Sequence, residues 1–196
     1  MHKMDPNPIP QFKAALASAE AAGIELYNAM SVSTIRADGM PSTRVVLLKD
    51  VDERGFVFYT NMNSPKVTDI KSNANVSLCV WWSKLLEQIR IEGVAEPVAD
   101  EEADTYFATR DRGSQVSAWA SQQSEIMGSR EELERAVEAC MQRFDGGPVP
   151  RPPHWSGLRV VPTRIEFWYG KADRLHERYL YTKAESGGWD ITLLQP

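Results

Sequence analysis

Apolar and polar positions follow two different rhythms along this chain. Near the N-terminus, "PQFKAALASAEAA" spaces Phe12, Ala15 and Leu16 three and four residues apart, which predicts a helix opened by Pro10 and ended near Gly23. From Ala29 the rhythm shortens to two. "AMSVSTIRA", "TRVVLLKDV" and "GFVFYT" read as strands, separated by the turn signals "DGMPS" and "DERG". Ser64 followed by Pro65 then opens a short helix running to about Lys71. "NVSLCVWW" and "LEQIRIEGVAEPV" form a long hairpin, with a bulge expected near Gly93.

The middle of the chain returns to helical spacing. "ADEEADTYFATR" has an acidic first turn and a basic last residue, matching the helix dipole. This reading places Tyr106 and Arg110 on one helical face, with Ser114 in the loop that follows. "SREELERAVEACMQRF" opens with a capping box, Ser129 to Glu132. After the loop "DGGPVPRPP" come three more strands, "LRVVPTRIEFWYG", "RLHERYLYTK" and "WDITLLQP", with Gly187 and Gly188 turning the last hairpin.

Strands, then helices, then strands, with no βαβ alternation, make an α+β protein with an antiparallel sheet. So many short strands hide their edges best in a small barrel with flanking helices. The 196 residues suit a single domain, 1–196. Neither GxGxxG nor GxxxxGK[ST] occurs, so a Rossmann or P-loop nucleotide site is disfavoured.

Composition narrows the partners. Apolar content of 42% and charged content of 25% are ordinary for a soluble globular protein. A net charge of -5 argues against a general nucleic-acid surface and leaves room for a local basic pocket that takes a small anion. Cys79 and Cys140 form no CxxC pattern, which favours a reducing cytoplasm. His2, His154 and His176 have no partners at metal-ligand spacing, so no metal is expected. "MHKMDPNPIP" lacks the apolar core of a signal peptide, and no apolar run is long enough to span a bilayer.

Four stretches carry candidate chemistry. Arg44 and Lys49 bracket "RVVLL" and, five apart on a strand, point to opposite faces unless one lies beyond the strand end. "YTNMNSPK" runs a strand through hydroxyls into a helix N-terminus with Lys66, an anion-binding arrangement. Tyr106, Arg110 and Ser114 would suit a phosphate monoester. "FWYGKADRLHER" joins Trp168 to Arg174, His176 and Arg178, which share one face if the segment is a strand and suit a planar heterocycle. Each has a bland counterpart: a solvated strand face, a capped helix, a surface contact, a core Trp beside a basic edge.

The motifs "RVVLLK", "FYTN", "SxK", "QxRIEG", "YFATRxRxSQxSAW", "QS", "IEFW" and "RLHER", with a terminal "LQP", resemble the pyridoxine/pyridoxamine 5′-phosphate oxidase family of the FMN-binding split-barrel superfamily, from about Asp5 to Pro196. The resemblance implies a homodimer with FMN at the interface. It also implies oxidation of pyridoxine or pyridoxamine 5′-phosphate to pyridoxal 5′-phosphate, with electrons passing to O2. Matched by motif, Arg44, Val45, Val46, Leu47, Leu48 and Lys49 line the FMN and substrate region. Tyr59, Thr60, Lys66, Gln88, Gln123, Ser124, Trp168 and Arg178 complete the FMN shell. Lys49, Tyr106, Arg110 and Ser114 take the substrate phosphate, and Arg174 and His176 serve as the catalytic residues beside the substrate ring. Members often carry Arg where this chain has Pro65, so one FMN phosphate contact is expected to be lost or replaced. They also carry a basic, Tyr-containing N-terminal arm, which "MHKM" leaves absent or truncated. Two alternatives stand beside this reading: a related flavin oxidase on another aromatic, of the phenazine type, and a non-catalytic FMN or pyridoxal-phosphate binder.

Overall fold

The computed structural model describes residues 2–196. It contains helices α1 (Pro8–Ala21), α2 (Pro65–Ser72), α3 (Asp100–Thr109), α4 (Arg112–Ala120) and α5 (Arg130–Arg143). The strands are β1 (Ala29–Ile35), β2 (Pro41–Leu47), β3 (Asp50–Asp52), β4 (Gly55–Asn61), β5 (Asn75–Trp82), β6 (Glu87–Pro97), β7 (Trp155–Tyr169), β8 (Glu177–Lys183) and β9 (Trp189–Leu194). Nine strands form one sheet in the order β2-β1-β5-β6-β7-β4-β3, with β8 on β7 and β9 on β8. Pairings β1·β2, β1·β5, β3·β4, β5·β6, β7·β8 and β8·β9 are antiparallel, as the lack of βαβ alternation predicts. The α+β class and the antiparallel sheet match the sequence reading.

The chain divides into two compact units. One comprises the chain to Phe58, Asp69–Glu96 and Arg159–Pro196; the other comprises Tyr59–Thr68 and Pro97–Leu158. The first is the sheet unit. In β5 the period-two pattern buries Val76, Leu78, Val80 and Trp82 on one face. Phe12 of α1 packs edge-on against Phe56, their rings 4.9 Å apart. The second unit is mostly helical, with Phe107, Val116, Val149 and Trp155 at its core.

Several boundaries differ from expectation. Helix α1 starts earlier, at Pro8, because the Asn7 side chain accepts the Ile9 N–H as an N-cap. Against β5 no bulge forms at Gly93: β5 and β6 keep register from Asn75↔Val94 to Trp82↔Glu87. The glycine is needed because a Cβ there would lie 2.2 Å from the Val161 carbonyl oxygen. The Ser129 capping box does not form; Glu132 instead accepts the Gly128 N–H. Gly187 and Gly188 do turn the last hairpin, both at positive φ.

Candidate functional site

In the helical unit, the chain leaves β4 through Thr60 and enters α2 at Pro65, which brings Lys66 back onto its own approach. The Lys66 ammonium, 9% exposed, donates to Thr60 Oγ1, Ser64 Oγ and Gln123 Oε1, each at 3.0 Å. Gln123 also meets Thr60 Oγ1 at 3.3 Å. Three neutral oxygens thus meet a cation at a helix start, with hydroxyls able to turn their protons toward an anion. Ser124, the next residue, is exposed and holds φ 73.

A second cationic group stands in the same unit. The sequence reading put Arg110 one helical turn from Tyr106, but α3 ends at Thr109 and Arg110 is extended (φ -71, ψ 148). Ser114 is not in a loop either; it lies in α4, whose N-cap Asp111 accepts the Ser114 N–H at 2.8 Å. The Arg110 guanidinium carbon sits 4.8 Å above the Trp155 ring and 5.4 Å from that of Phe107. Tyr106, Tyr59 and Trp155 lie parallel to within 7°, with Tyr59 between 4.1 Å from Tyr106 and 5.1 Å from Trp155. Burial lowers the Arg110 pKa against the opposing fields of Tyr106 and Asp111. Its Nη1 is, among the described residues, the one buried side-chain polar atom without a hydrogen-bond partner. Arg90, Arg151, Arg159 and Arg178 all meet carboxylates. A buried, unsatisfied guanidinium N–H costs free energy unless a ligand oxygen completes it.

The sheet unit holds the remaining expected residues. Arg44 donates to Thr34 Oγ1 at 2.7 Å and Ser42 Oγ at 2.6 Å, and faces buried Asp69 at 3.8 Å. Val45 is 66% exposed, Val46 and Leu47 are half-buried, and Leu48 is buried. Strand β2 ends at Leu47, so Lys49 lies beyond it, exposed, its N–H on the Val57 carbonyl. Gln88 is half-buried opposite Trp81. Trp168 lies 4.5 Å from the His176 ring and 5.9 Å from Trp81. The Lys171 N–H donates to His176 Nδ1, so the proton of the neutral ring sits on Nε2.

The expectation that Arg174, His176 and Arg178 share one strand face is corrected. Strand β8 begins at Glu177, because its register with β7 starts at Tyr169↔Glu177. Ahead of it, Asp173 and Arg174 take left-handed φ values of 54 and 59 in a single 3-10 turn, and Arg174 is exposed. Only Arg178 belongs to the strand. It lies opposite Trp168, donates from Nε to Glu166 at 2.8 Å and from Nη1 to the Gln195 carbonyl at 3.0 Å. Glu166, 7% exposed, also accepts from Arg90 at 3.2 Å. Left-handed backbone at non-glycine residues costs about 1–3 kcal/mol and gathers at functional sites. Ser124 and Arg174 are two such positions here.

Sequence reasoning missed Trp155, Glu166 and Asp69. Glu166 lay inside the quoted "IEFW" and could have been paired with a basic residue. Trp155, in "PPHWSG", carries no local signal.

The N-terminal segment packs within the sheet unit. The His2 ring stacks on Tyr169 at 3.8 Å, and its N–H and Nδ1 both meet Glu177 Oε2 at 2.9 Å. Tyr181 Oη donates to the Asp5 carbonyl. No helix among the described residues is long and apolar enough to cross a membrane.

Comparison with known proteins gives a consistent result. A family model described as pyridoxamine 5′-phosphate oxidase matches residues 16–144. A second, described as the pyridoxine 5′-phosphate oxidase C-terminal dimerisation region, matches residues 155–196. A pyridoxine/pyridoxamine 5′-phosphate oxidase from Rubrobacter xylanophilus is 53% identical over 98% of this chain and 88% of its own length. One from Bdellovibrio bacteriovorus is 48% identical over 100% of both chains. The crystal structure of PhzG from Burkholderia lata, in complex with tetrahydrophenazine-1-carboxylic acid, superposes with a TM-score of 0.93 at 32% identity, over 98% of this chain and 94% of that one. A pyridoxamine 5′-phosphate oxidase-related, FMN-binding protein from Nostoc punctiforme shares the fold at a TM-score of 0.78 and 14% identity, over 98% of this chain and 100% of that one. The fold is a split barrel, and the chain belongs to the pyridoxamine 5′-phosphate oxidase family.

Proposed function

We infer that this protein is an FMN-dependent oxidase that converts pyridoxine or pyridoxamine 5′-phosphate to pyridoxal 5′-phosphate, working as a cytoplasmic homodimer with O2 as electron acceptor. One observation carries the reading furthest. The helical unit of a net-acidic chain holds two separately built cationic groups, Lys66 among hydroxyls and Arg110 with a buried N–H unmatched, which fits one phosphate on a cofactor and another on a substrate. The match to a dimerisation region supports the homodimer, and two free cysteines support a reducing compartment.

The residues present fit FMN. Lys66, Thr60, Ser64 and Gln123 would hold its phosphate. When bound, FMN supplies the acceptor for a hydride equivalent from the carbon bearing the alcohol or amine, and passes the electrons to O2 to give hydrogen peroxide. The protein supplies position and charge. Arg110, with Tyr106 and Ser114, anchors the substrate phosphate and so fixes the register of the ring. Arg178 serves the cofactor, its guanidinium held by Glu166. His176 presents Nε2–H from a ring fixed by the Lys171 N–H, and Arg174 offers a guanidinium from its strained turn. With the amine substrate, the imine product is hydrolysed and ammonia leaves.

A second reading is supported by the TM-score of 0.93 with PhzG: oxidation of an unphosphorylated aromatic of the phenazine type. The Arg110 N–H would take a carboxylate as readily as a phosphate, so what favours the first reading is the 53% identity to a pyridoxine/pyridoxamine 5′-phosphate oxidase against 32% to PhzG. The deciding experiment measures peroxide release from the FMN-loaded protein with pyridoxamine 5′-phosphate and with pyridoxamine. Turnover that depends strongly on the phosphate is expected. Equal turnover of both sinks the phosphate anchor, and no turnover of either leaves the protein a binder.

A further inference from the structure

Arg110 has no ion pair among the described residues, yet its charge must be aimed. Its backbone has just left α3 and makes one bond there, N–H to the Phe107 carbonyl at 3.2 Å. The neighbouring acid, Asp111, caps α4 instead. What meets the guanidinium is the indole face of Trp155.

Trp155 is itself held on every side. It is 7% exposed, parallel to Tyr59 within 3°, and edge-on to Phe107 at 5.0 Å. Its backbone N–H donates to the Pro152 carbonyl, and its backbone carbonyl accepts from Arg151. Arg151 in turn is tied to Asp100 and Asp104 of α3. Both ends of α3 thus converge on Trp155, one through Arg151 and the other through Arg110. Gly157 keeps the stack close, since a Cβ there would lie 2.8 Å from the Tyr59 ring.

We propose that Trp155 is a positioning residue for the substrate phosphate: its indole sets the plane of the Arg110 guanidinium and so determines the preference for phosphorylated over unphosphorylated substrate. The proposal rests on the reading that Arg110 receives that phosphate. A carboxylate in the same role would neutralise the charge and compete with the ligand for the same N–H groups. An aromatic face orients the guanidinium from above and leaves its edge, where the donors lie, open to phosphate oxygens. A purely structural Trp155 would make the same core contacts with no effect on ligand choice.

The test compares pyridoxal 5′-phosphate with pyridoxal, by calorimetric binding to the FMN-loaded protein in phosphate-free buffer. The ratio of the two affinities isolates the phosphate. Trp155→Leu should reduce that ratio by about tenfold, while Trp155→Phe, which keeps a flat ring, should hold it within about threefold. The kcat for the phosphorylated substrate should move less than its KM. Because a leucine at a core position could unfold the chain, a second series places progressively fluorinated tryptophans at position 155. Fluorination drains the π face with little change in shape, so the ratio should fall stepwise. A ratio unmoved by fluorination, or equal losses for both ligands, overturns the proposal. If Arg110→Met leaves the ratio intact, the phosphate assignment itself fails. If Arg110→Met abolishes the ratio while the fluorinated series leaves it intact, only the role of Trp155 fails.

Discussion

Arg110→Met should leave the ligand-free protein at least as stable as the parent while removing its response to phosphate. The Arg110 Nη1 is buried and unbonded, and the guanidinium has no ion pair among the described residues. Relieving a buried unsatisfied donor returns about 1–3 kcal/mol. Losing the stack on Trp155 and Phe107 costs about 0.5–2 kcal/mol. Methionine refills most of the apolar contact, so the net change should be a gain of about 1 kcal/mol, or about 2–4 °C in Tm for a chain of this length. Arg159→Met is the contrast. Arg159 is 2% exposed and paired with Asp52 at 2.8 Å. Breaking that pair should cost about 3 kcal/mol and lower Tm by about 6–12 °C.

The assay is calorimetric melting of the FMN-loaded protein in phosphate-free buffer, with and without pyridoxal 5′-phosphate. At a hundredfold excess over Kd the parent should gain about 2.7 kcal/mol. A charge-assisted bond contributes about 1.5–3 kcal/mol, so a typical thirtyfold loss of affinity leaves Arg110→Met with a gain of about 1 kcal/mol. A Met variant destabilised as much as Arg159→Met would make Arg110 a structural residue. One that keeps the full response to the ligand would remove it from the phosphate site.

Three further outcomes are expected. Lys66→Met should weaken FMN binding about 10- to 150-fold, read by flavin fluorescence on titrating the apoprotein; parent affinity would release Lys66 from the cofactor phosphate. Gly93→Ala should lose about 3 kcal/mol in denaturant unfolding, because the new Cβ meets the Val161 backbone oxygen at 2.2 Å and backbone cannot step aside; a loss under about 0.5 kcal/mol would contradict that approach. Glu177 is held down to about 2, first by the His2 side chain and then by the His2 N–H, against an ordinary 4.5. Its folded value is the lower one, so its stabilisation is complete above about 4.5 and is lost as pH falls through about 2. Glu177→Gln should therefore flatten the acid side of a Tm-against-pH curve, and an unchanged slope would mean that the His2 contact does not persist in solution.

The sequence by itself determined whatever depends on neighbours a few residues apart. Alternation in "NVSLCVWW" and the short apolar run of "GFVFYT" made strands, paired glycines turned the last hairpin, and "SPK" set a lysine at a helix start. The break between α3 and α4, where Asp111 caps the second helix, was not read from "TYFATRDRGS" and appeared only in the structure. Other features had no local signal to read. Gly93 is required because β7 delivers a carbonyl against it from far along the chain, and β8 begins at Glu177 because that is where β7 can first pair. A period-two pattern says which side chains share a face and nothing about which charges meet. The sequence offered Arg44, Arg110 and Arg178 as equivalent cations. Tertiary packing bound Arg44 to Thr34, Ser42 and Asp69, bound Arg178 to Glu166, and left Arg110 with an aromatic shelf and an unmatched N–H. Which cation stays available to a ligand is set by long-range contacts between charges, and those exist only once the chain has folded.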